Sequence, residues 1–252
     1  MSTDEKEIKV TGIDENGHPV ILPKTIDEYY AGVPKRFAGI RKIIMEYDEP
    51  FAVEGGSIRG DFALLKAFVA DHDRQLVVDI KGKADALRLF FPAYLYGFVE
   101  DTFARAIHHK IEGVGYTLRE CIGKYEISVR EYDNLFTRVI GTDAAVADEA
   151  GIIAISRLMY PMNLLKEHKE AYTEYLKTRD EEVLKVLVRE QTGAEEAVSY
   201  LTEHRLISTE AVKKVLPQLS DTSMAPIVAL LLRYTNNGDG ILTQKGGRMS
   251  LF

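Results

Sequence analysis

Hydrophobic and polar residues alternate in the first part of the chain. In "EIKVTGIDENGHPVIL" the polar stretch "DENG" separates Ile8 and Val10 from Val20 and Leu22. A period of two on both sides of a turn containing Asn-Gly is typical of a β-hairpin. The pattern therefore predicts a hairpin from Ile8 to Leu22.

From Thr25 onward the apolar residues recur every three or four positions, which is the period of an amphipathic helix. Thr25 and Glu28 form a capping-box pattern at the start of the first helix. The spacing predicts two further helices, with apolar faces made by Phe37, Ile40, Ile43, Ile44 and Tyr47 and by Phe62, Leu65, Phe68 and Val69. The apolar run "ALRLFFPAYLYGFV", from Ala86 to Val99, is too short to span a bilayer. It predicts a kinked helix or a buried helix pair.

The helical pattern continues toward the C-terminus, where an internal repeat emerges. "EVLKVL", from Glu182 to Leu187, aligns with "AVKKVL", from Ala211 to Leu216, 29 residues further on. The same offset carries Val198 onto Ile227 and Leu201 onto Leu230. One helix pair cannot bury its apolar face alone, so repeated pairs stack on each other. A chance match between two adjacent amphipathic hairpins is the alternative.

The segments "DEEVLKVLVREQTGAEEAVSYLTEHRL" and "STEAVKKVLPQLSDTSMAPIVALLLRYTNN" resemble ankyrin-type helical repeats, in particular the degenerate repeats of bacterial proteins. The resemblance covers about the last third of the chain. Neither segment has the Thr-Pro-Leu-His opening of that family. The resemblance implies a stack of helix pairs with a protein-binding role, and it transfers no catalytic residue.

Together these patterns predict a mainly α fold of stacked helix pairs, α-solenoid or ankyrin-like, with a small N-terminal β-hairpin. The expected parts are the hairpin segment at residues 1–24, an irregular helical region at 25–141, the helix-pair region at 142–240 and a flexible tail at 241–252.

Composition and charge narrow the classes of function. The net charge of −7 argues against a general nucleic-acid binder, which needs clustered Lys and Arg for phosphate contacts. Cys121 is the only cysteine, so no internal disulfide is possible. The N-terminal "MSTDEKEIKV" has no apolar stretch that resembles a signal peptide. We therefore expect a cytoplasmic protein that engages neither nucleic acid nor membrane.

The stretch "NNGDG" near the C-terminus resembles part of a calcium-binding loop. With Gly240 at the sixth position of an EF-hand loop, Thr235 takes the first position and Gly246 the twelfth. Neither residue supplies the carboxylate that those positions require. The sequence instead predicts that a helix ends at Asn236 to Gly238, because Asn and Gly tolerate the left-handed conformation of a helix terminus.

The other candidate sites, for phosphate binding, metal binding and nucleophilic catalysis, also lack the residues that they would need. "GGSIRGD", from Gly55 to Asp61, lacks the Lys and Ser or Thr of a phosphate-binding loop and fits a flexible linker before a helix. His108 and His109, expected on a helix, would point about 100° apart and could not share a metal. Cys121 fits a buried apolar position. We therefore assign no catalytic, metal-binding or cofactor-binding residue and expect no cofactor.

The favoured hypothesis is a non-catalytic protein–protein interaction module or adaptor that binds another protein through a face of its helical stack. Exposed tyrosines suit a protein interface. The candidate partner-binding residues are Tyr172, Tyr175, Tyr200, His204 and Tyr234.

Two alternatives stay open. One is an enzyme of unknown class with a pocket near Phe90 to His109, where Glu100, Asp101 and His108 lie beside an aromatic run. The other is a structural subunit of a larger assembly. The sequence does not predict an oligomeric state.

Overall fold

Two compact units, Met1–Lys169 and Glu170–Phe252, make up the chain. The computed structural model describes residues 9–31, 39–101, 106–142, 147–190, 193–219 and 224–245. All the described strands lie in the first unit, where they form a mixed sheet and two smaller sheets. The fold is therefore mixed α/β, and the prediction of a mainly α-helical solenoid is wrong.

The strands form three separate sheets. The largest has the order β2-β1-β3-β6-β7, and within it only β3 and β6 pair in parallel. A second sheet has the order β10-β5-β4, and β8 pairs with β9 alone among the described strands. Their bounds are β1 Lys9–Asp14, β2 Pro19–Ile21, β3 Ile40–Glu46, β4 Ala52–Glu54, β5 Ser57–Arg59, β6 Leu76–Lys81, β7 Ala86–Phe91, β8 Leu95–Asp101, β9 Ala106–Glu112 and β10 Glu126–Ile127.

Helices flank the strands and then continue without them to the end of the described chain. Their bounds are α1 Ile26–Ala31, α2 Ala63–Asp71, α3 Gly115–Arg119, α4 Val129–Arg138, α5 Ala147–Met159, α6 Lys166–Thr178, α7 Asp180–Glu190, α8 Ala194–Glu203, α9 Thr209–Val215 and α10 Ala225–Lys245. No helix in the described part of the chain is long and apolar enough to cross a membrane.

The second unit contains the helix pairs that the 29-residue offset predicts. Helix α7 packs against α8 and α9, and α10 packs against α8 and α9. Val183 and Val212, which the offset aligns, are both buried. The two pairs therefore lie side by side, whereas their relationship to ankyrin-type repeats stays a prediction.

Helix α10 does not end where the sequence predicts. It runs through Asn236 to Gly238 and continues to Lys245. Asn and Gly tolerate a helix terminus but do not impose one, since each glycine inside a helix costs only about 1 kcal/mol relative to alanine. Residues 241–245 of the expected flexible tail thus belong to the helix, and residues 246–252 lie outside the described part of the chain.

The two predictions made near the N-terminus, a β-hairpin and a helix capping box, are confirmed. Strands β1 and β2 form the predicted hairpin, in which Thr11 faces Ile21. The capping box at the start of α1 is also present. The Thr25 hydroxyl oxygen accepts a hydrogen bond from the Glu28 backbone N–H at 3.2 Å, and the Glu28 carboxylate accepts one from the Lys24 N–H at 2.8 Å.

Strand β3 is the clearest departure from the helical prediction for residues 25–141. Ile40, Ile43 and Met45 are buried, with a spacing of three and then two residues. The pairing of β3 with β1 shifts here, because Asp14 pairs with Ile40 while Ile13 pairs with Lys42. The extra residue makes a β-bulge, which turns a strand so that positions three apart share a face. The bulge therefore produces the spacing that resembles a helix.

Strand β7 forms one edge of the five-stranded sheet, and Tyr132 of α4 covers that edge. The Tyr132 hydroxyl accepts a hydrogen bond from the Phe90 N–H at 3.1 Å and donates one to the Phe90 carbonyl oxygen at 2.6 Å. It thus replaces the missing neighbouring strand at this residue. Tyr132 and Phe90 are both buried. Without the hydroxyl group, no water would therefore hydrogen-bond to the N–H or the carbonyl oxygen of Phe90 in its place.

We expect Tyr132→Phe to lower the free energy of unfolding by about 2 kcal/mol, because a buried N–H and a buried carbonyl lose their partner. Urea unfolding followed by circular dichroism measures the change. The matched control is Tyr125→Phe at an exposed tyrosine, for which we expect a change within about 0.5 kcal/mol. Equal stability of the two variants would contradict the role of the Tyr132 hydroxyl.

Candidate functional site

Strands β8 and β9 form a two-stranded hairpin, called the arm below. Tyr96 pairs with Ile111, and Phe98 pairs with His109. Side chains alternate between the faces of a sheet, so Tyr96, Phe98 and Ile111 lie on one side, and Leu95 lies on the other. Opposite residues of an antiparallel pair share a face, so the positions of Glu100, Ile107 and His109 belong to this same side. We call the group formed by Tyr96, Phe98 and Ile111 the apolar face of the arm.

The apolar face is open to solvent. The exposed fractions are 57% for Tyr96, 72% for Phe98 and 41% for Ile111, and Leu95 on the opposite side is 69% exposed. By contrast, Phe90 in the preceding strand is 1% exposed. The three side chains together present roughly 340 Å² of surface, which is within the range of the largest apolar patch on a typical monomer. Patches of this size are often functional.

Arg119, at the end of α3, fixes the base of the arm. Its Nη1 donates hydrogen bonds to the carbonyl oxygens of Pro92 at 2.6 Å and Gly115 at 2.8 Å, and its Nη2 donates to the carbonyl oxygen of Arg74 at 2.6 Å. Pro92 precedes the arm and Gly115 follows it. The guanidinium group therefore ties both ends of the arm to the rest of the first unit.

The Arg119 guanidinium group is buried, and its positive charge is stabilised by backbone carbonyl groups and by aromatic rings. It lies 4.9 Å from the centre of the Tyr94 ring. Burial lowers the pKa of Arg119 to about 10, which leaves the group protonated at neutral pH. Its Nε has no hydrogen-bond partner among the described residues. The Tyr94 N–H donates to the Asp73 carbonyl oxygen at 2.8 Å and adds a further tie at the base.

Of the five partner-binding residues predicted from sequence, two are buried and three are half-buried or exposed. Tyr172 and Tyr175 are buried, so they are removed from the candidate surface. Tyr200 is half-buried and stacks on the exposed His204 with ring centres 4.0 Å apart. Tyr234 donates a hydrogen bond to the Ile207 carbonyl oxygen at 2.6 Å, which occupies its hydroxyl in a contact within the second unit.

The pocket considered near Phe90 to His109 is not formed by this aromatic run. Phe90 belongs to the buried core, whereas Phe98 is exposed on the arm. His108 and His109 lie in β9 and pair with Val99 and Phe98, so their expected helical setting is wrong. Glu100 and Asp101 lie in β8. The run is thus divided between the core and an extended arm and does not make one wall of a cleft.

Two other segments considered as candidate sites, Gly55 to Asp61 and the position of Cys121, have structural roles. The segment expected to be a linker is the β4–β5 hairpin, whose turn residues Gly55 and Gly56 have φ angles of 60° and 93°. Both angles lie in the left-handed region that glycine adopts without strain.

Cys121 is buried, and burial raises the pKa of its thiol to about 12, which disfavours the nucleophilic thiolate. Within the described residues, no group of three or more His, Cys, Asp or Glu is placed to hold a metal ion.

Two buried carboxylates of the first unit, Asp79 and Asp133, are engaged in ion pairs. Asp79 contacts Arg88 at 2.6 Å and Lys42 at 2.8 Å, which joins three neighbouring strands of the large sheet. Burial alone would raise the pKa of Asp79, but the hydrogen bonds from Arg88 and Lys42 lower it below its usual 3.8. Asp133 and Arg157 form a second, fully buried pair between α4 and α5. Both carboxylates therefore have a structural role.

Comparison of the chain with protein-family models, with curated proteins and with solved structures finds no match. An inference about function therefore rests on the geometry of the chain itself.

Proposed function

We propose that the protein is a non-catalytic protein-binding module and that the apolar face of the arm is its principal contact surface. One observation supports this most strongly: Phe98 is 72% exposed on an arm whose base is fixed by the buried Arg119. Large apolar side chains displayed on a defined backbone favour binding, because little conformational entropy is lost when a partner covers them. Aromatic residues are also enriched in the centres of protein interfaces.

A protein suits this surface better than other classes of partner. The net charge of −7 disfavours a polyanion. Strand β8 ends with the acidic residues Glu100 and Asp101, and carboxylates disfavour insertion into a bilayer. A small molecule would require a concave site, whereas the arm is an extended two-stranded ribbon.

The helix pairs of the second unit provide a second proposed contact region, in line with their resemblance to ankyrin-type repeats. His204 and the half-buried Tyr200 and Tyr234 remain its candidate residues. We also propose the cytoplasm as the site of action, because the single cysteine, Cys121, forms no disulfide and the fold needs no oxidising compartment.

Photo-crosslinking tests the proposed function. Phe98 is replaced by p-benzoylphenylalanine in the cells that naturally make the protein, and the cells are irradiated. We expect covalent adducts between this chain and a protein, because a bound partner would lie within contact distance of position 98. Mass spectrometry of the adducts then identifies the cross-linked chain.

The matched control places the same photo-reactive residue at position 21. Ile21 is 90% exposed on β2, so its side chain has at least as much access to solvent as that of Phe98. We expect no discrete adduct from this position. If position 98 yields no protein adduct, or yields the same adducts as position 21, the arm is not a protein-binding surface.

A further inference from the structure

We propose that Arg205 is a specificity-determining residue of the second contact region, where it pairs with a carboxylate of the bound protein. This inference rests on the proposed function, in which His204, Tyr200 and Tyr234 form that region, and it names the chemical group that the partner supplies there. Arg205 directly follows His204 in the turn between α8 and α9. Its backbone, its charge and its neighbours support this role.

Arg205 has a backbone conformation that favours glycine. Its φ angle is 53°, and in the described part of the chain only one other residue besides glycine, Asn163, has a positive φ. The turn ends α8 with two hydrogen bonds, from the Arg205 N–H to the Thr202 carbonyl oxygen at 3.3 Å and from the Leu206 N–H to the Leu201 carbonyl oxygen at 2.9 Å. Glycine is the usual residue at this position of the turn, because any side chain adds strain. Residues that keep such strain are concentrated at binding sites.

The charge of Arg205 is available to a partner. The side chain is exposed, and its guanidinium group has no ion pair within the described residues. The acidic residues nearest to it in sequence bond elsewhere. Glu203 accepts a hydrogen bond from the Ser199 hydroxyl at 2.8 Å, and Glu210 accepts one from the Thr209 hydroxyl at 3.2 Å. The guanidinium group can therefore bind a carboxylate of another chain through two parallel N–H···O bonds.

The neighbours of Arg205 have the composition of an interface centre. Tyr200 and His204 stack with ring centres 4.0 Å apart. Burial raises the pKa of the Tyr234 hydroxyl, and the positive charge of Arg205 opposes that rise, which indicates that Arg205 lies near Tyr234. The Tyr234 hydroxyl is itself fixed by its hydrogen bond to the Ile207 carbonyl oxygen. Tyrosine and arginine are enriched among the residues that contribute most to protein binding.

A carboxylate of a protein suits Arg205 better than a phosphate of a nucleic acid. The net charge of −7 repels a polyanion along its whole length. A single carboxylate on a mixed protein surface meets much less repulsion, and one arginine is sufficient to pair with it. The expected partner therefore presents an Asp or Glu side chain to the turn between α8 and α9.

Photo-crosslinking from position 200 gives the binding measurement. Tyr200 is replaced by p-azidophenylalanine, which keeps an aromatic ring beside His204, in the cells that naturally make the protein. We expect discrete protein adducts on irradiation. Adding Arg205→Gly should lower the adduct yield by about tenfold or more, because the partner's carboxylate loses the guanidinium group. Arg205→Lys keeps the charge without the bidentate geometry and should restore part of the yield.

Urea unfolding separates this role from a structural one. Arg205→Gly should raise the urea concentration at the unfolding midpoint, because glycine adopts a positive φ without strain. A lower adduct yield from this variant would then not result from unfolding. The matched control is Asn163→Gly, at the other residue with a positive φ, which should leave the adduct yield from position 200 unchanged.

Two results would overturn the assignment of Arg205: an adduct yield that Arg205→Gly leaves unchanged, or an Arg205→Gly variant that unfolds at lower urea concentration than the wild-type chain. Both differ from failure of the proposed function. If position 98 gives protein adducts and position 200 gives none, the arm remains a binding surface and the inference about Arg205 fails. If neither position gives an adduct, both proposals fail.

Discussion

Replacement of Asp133 by alanine is expected to lower the free energy of unfolding of the first unit by about 3–5 kcal/mol. The Asp133 carboxylate accepts two hydrogen bonds from Arg157, at 2.8 and 3.0 Å, and both side chains are fully buried. Arg157 also donates to the carbonyl oxygens of Tyr160 and Met162, which holds the chain just after α5. Without Asp133, the buried guanidinium group would lose the carboxylate that accepts two of its hydrogen bonds.

Urea unfolding measures this loss, and two further variants isolate its cause. Glu126→Ala removes an exposed carboxylate that is paired with Arg59, and we expect a loss below about 1 kcal/mol. The double variant Asp133→Leu with Arg157→Met removes both buried charges together and should recover much of the stability, since apolar pairs can replace buried ion pairs. Equal losses for Asp133→Ala and Glu126→Ala would contradict this account of the pair.

Gly115→Ala should have the second largest effect, a loss of about 3 kcal/mol. An added Cβ at this position would overlap the Pro92 carbonyl oxygen and would lie 2.7 Å from Nη1 of Arg119. These two atoms form the hydrogen bond that fixes the start of the arm. The backbone of Pro92 cannot move away without breaking this bond, so the substitution should destabilise the base of the arm.

Thermal or urea unfolding of Gly115→Ala tests this expectation, with Gly39→Ala as the matched control. Among the described residues other than its chain neighbours, no atom lies within 4 Å of an added Cβ at Gly39, so this variant should lose less than about 0.5 kcal/mol. A Gly115→Ala variant as stable as the Gly39→Ala control would show that the close approach of Pro92 and Arg119 does not constrain the arm.

Two local signals near the N-terminus predicted local structure correctly. The β1–β2 hairpin and the capping box of α1 depend on turn and cap residues that act over a few positions, and both are present. The helix pairs of the second unit also follow from periodicity, because their burial comes from helices that are close in sequence. Signals of this kind do not require knowledge of distant contacts.

The rest of the five-stranded sheet was missed, because β3 and β7 have sequence patterns that resemble those of helices. In β3, a bulge opposite Ile13 shifts the face of the strand and produces a spacing of three between buried residues. In β7, Phe90 and Phe91 are both buried, since the strand is covered on two sides. A strand without alternation cannot be distinguished from a buried helix by periodicity alone. The parallel pairing of β3 with β6 is a long-range contact that no local pattern encodes.

The arm was missed for a different reason. Its first strand begins within the apolar run that predicts a helix, although "YLYGF" contains an alternation of aromatic residues at Tyr94, Tyr96 and Phe98. This alternation was the available signal for a strand. The exposure of Phe98 depends on which elements pack against the arm, and a single sequence does not reveal this. Tyr172 and Tyr175 show the opposite case. They have charged neighbours in the sequence, which suggested exposure, but the fold buries both.

Photo-crosslinking from position 98 tests the central claim most directly, because it asks what covers the most exposed side chain of the apolar face. The account predicts discrete protein adducts from position 98 and none from position 21. Irradiated cells in which position 98 gives no protein adduct would contradict the assignment of the arm as a protein-binding surface.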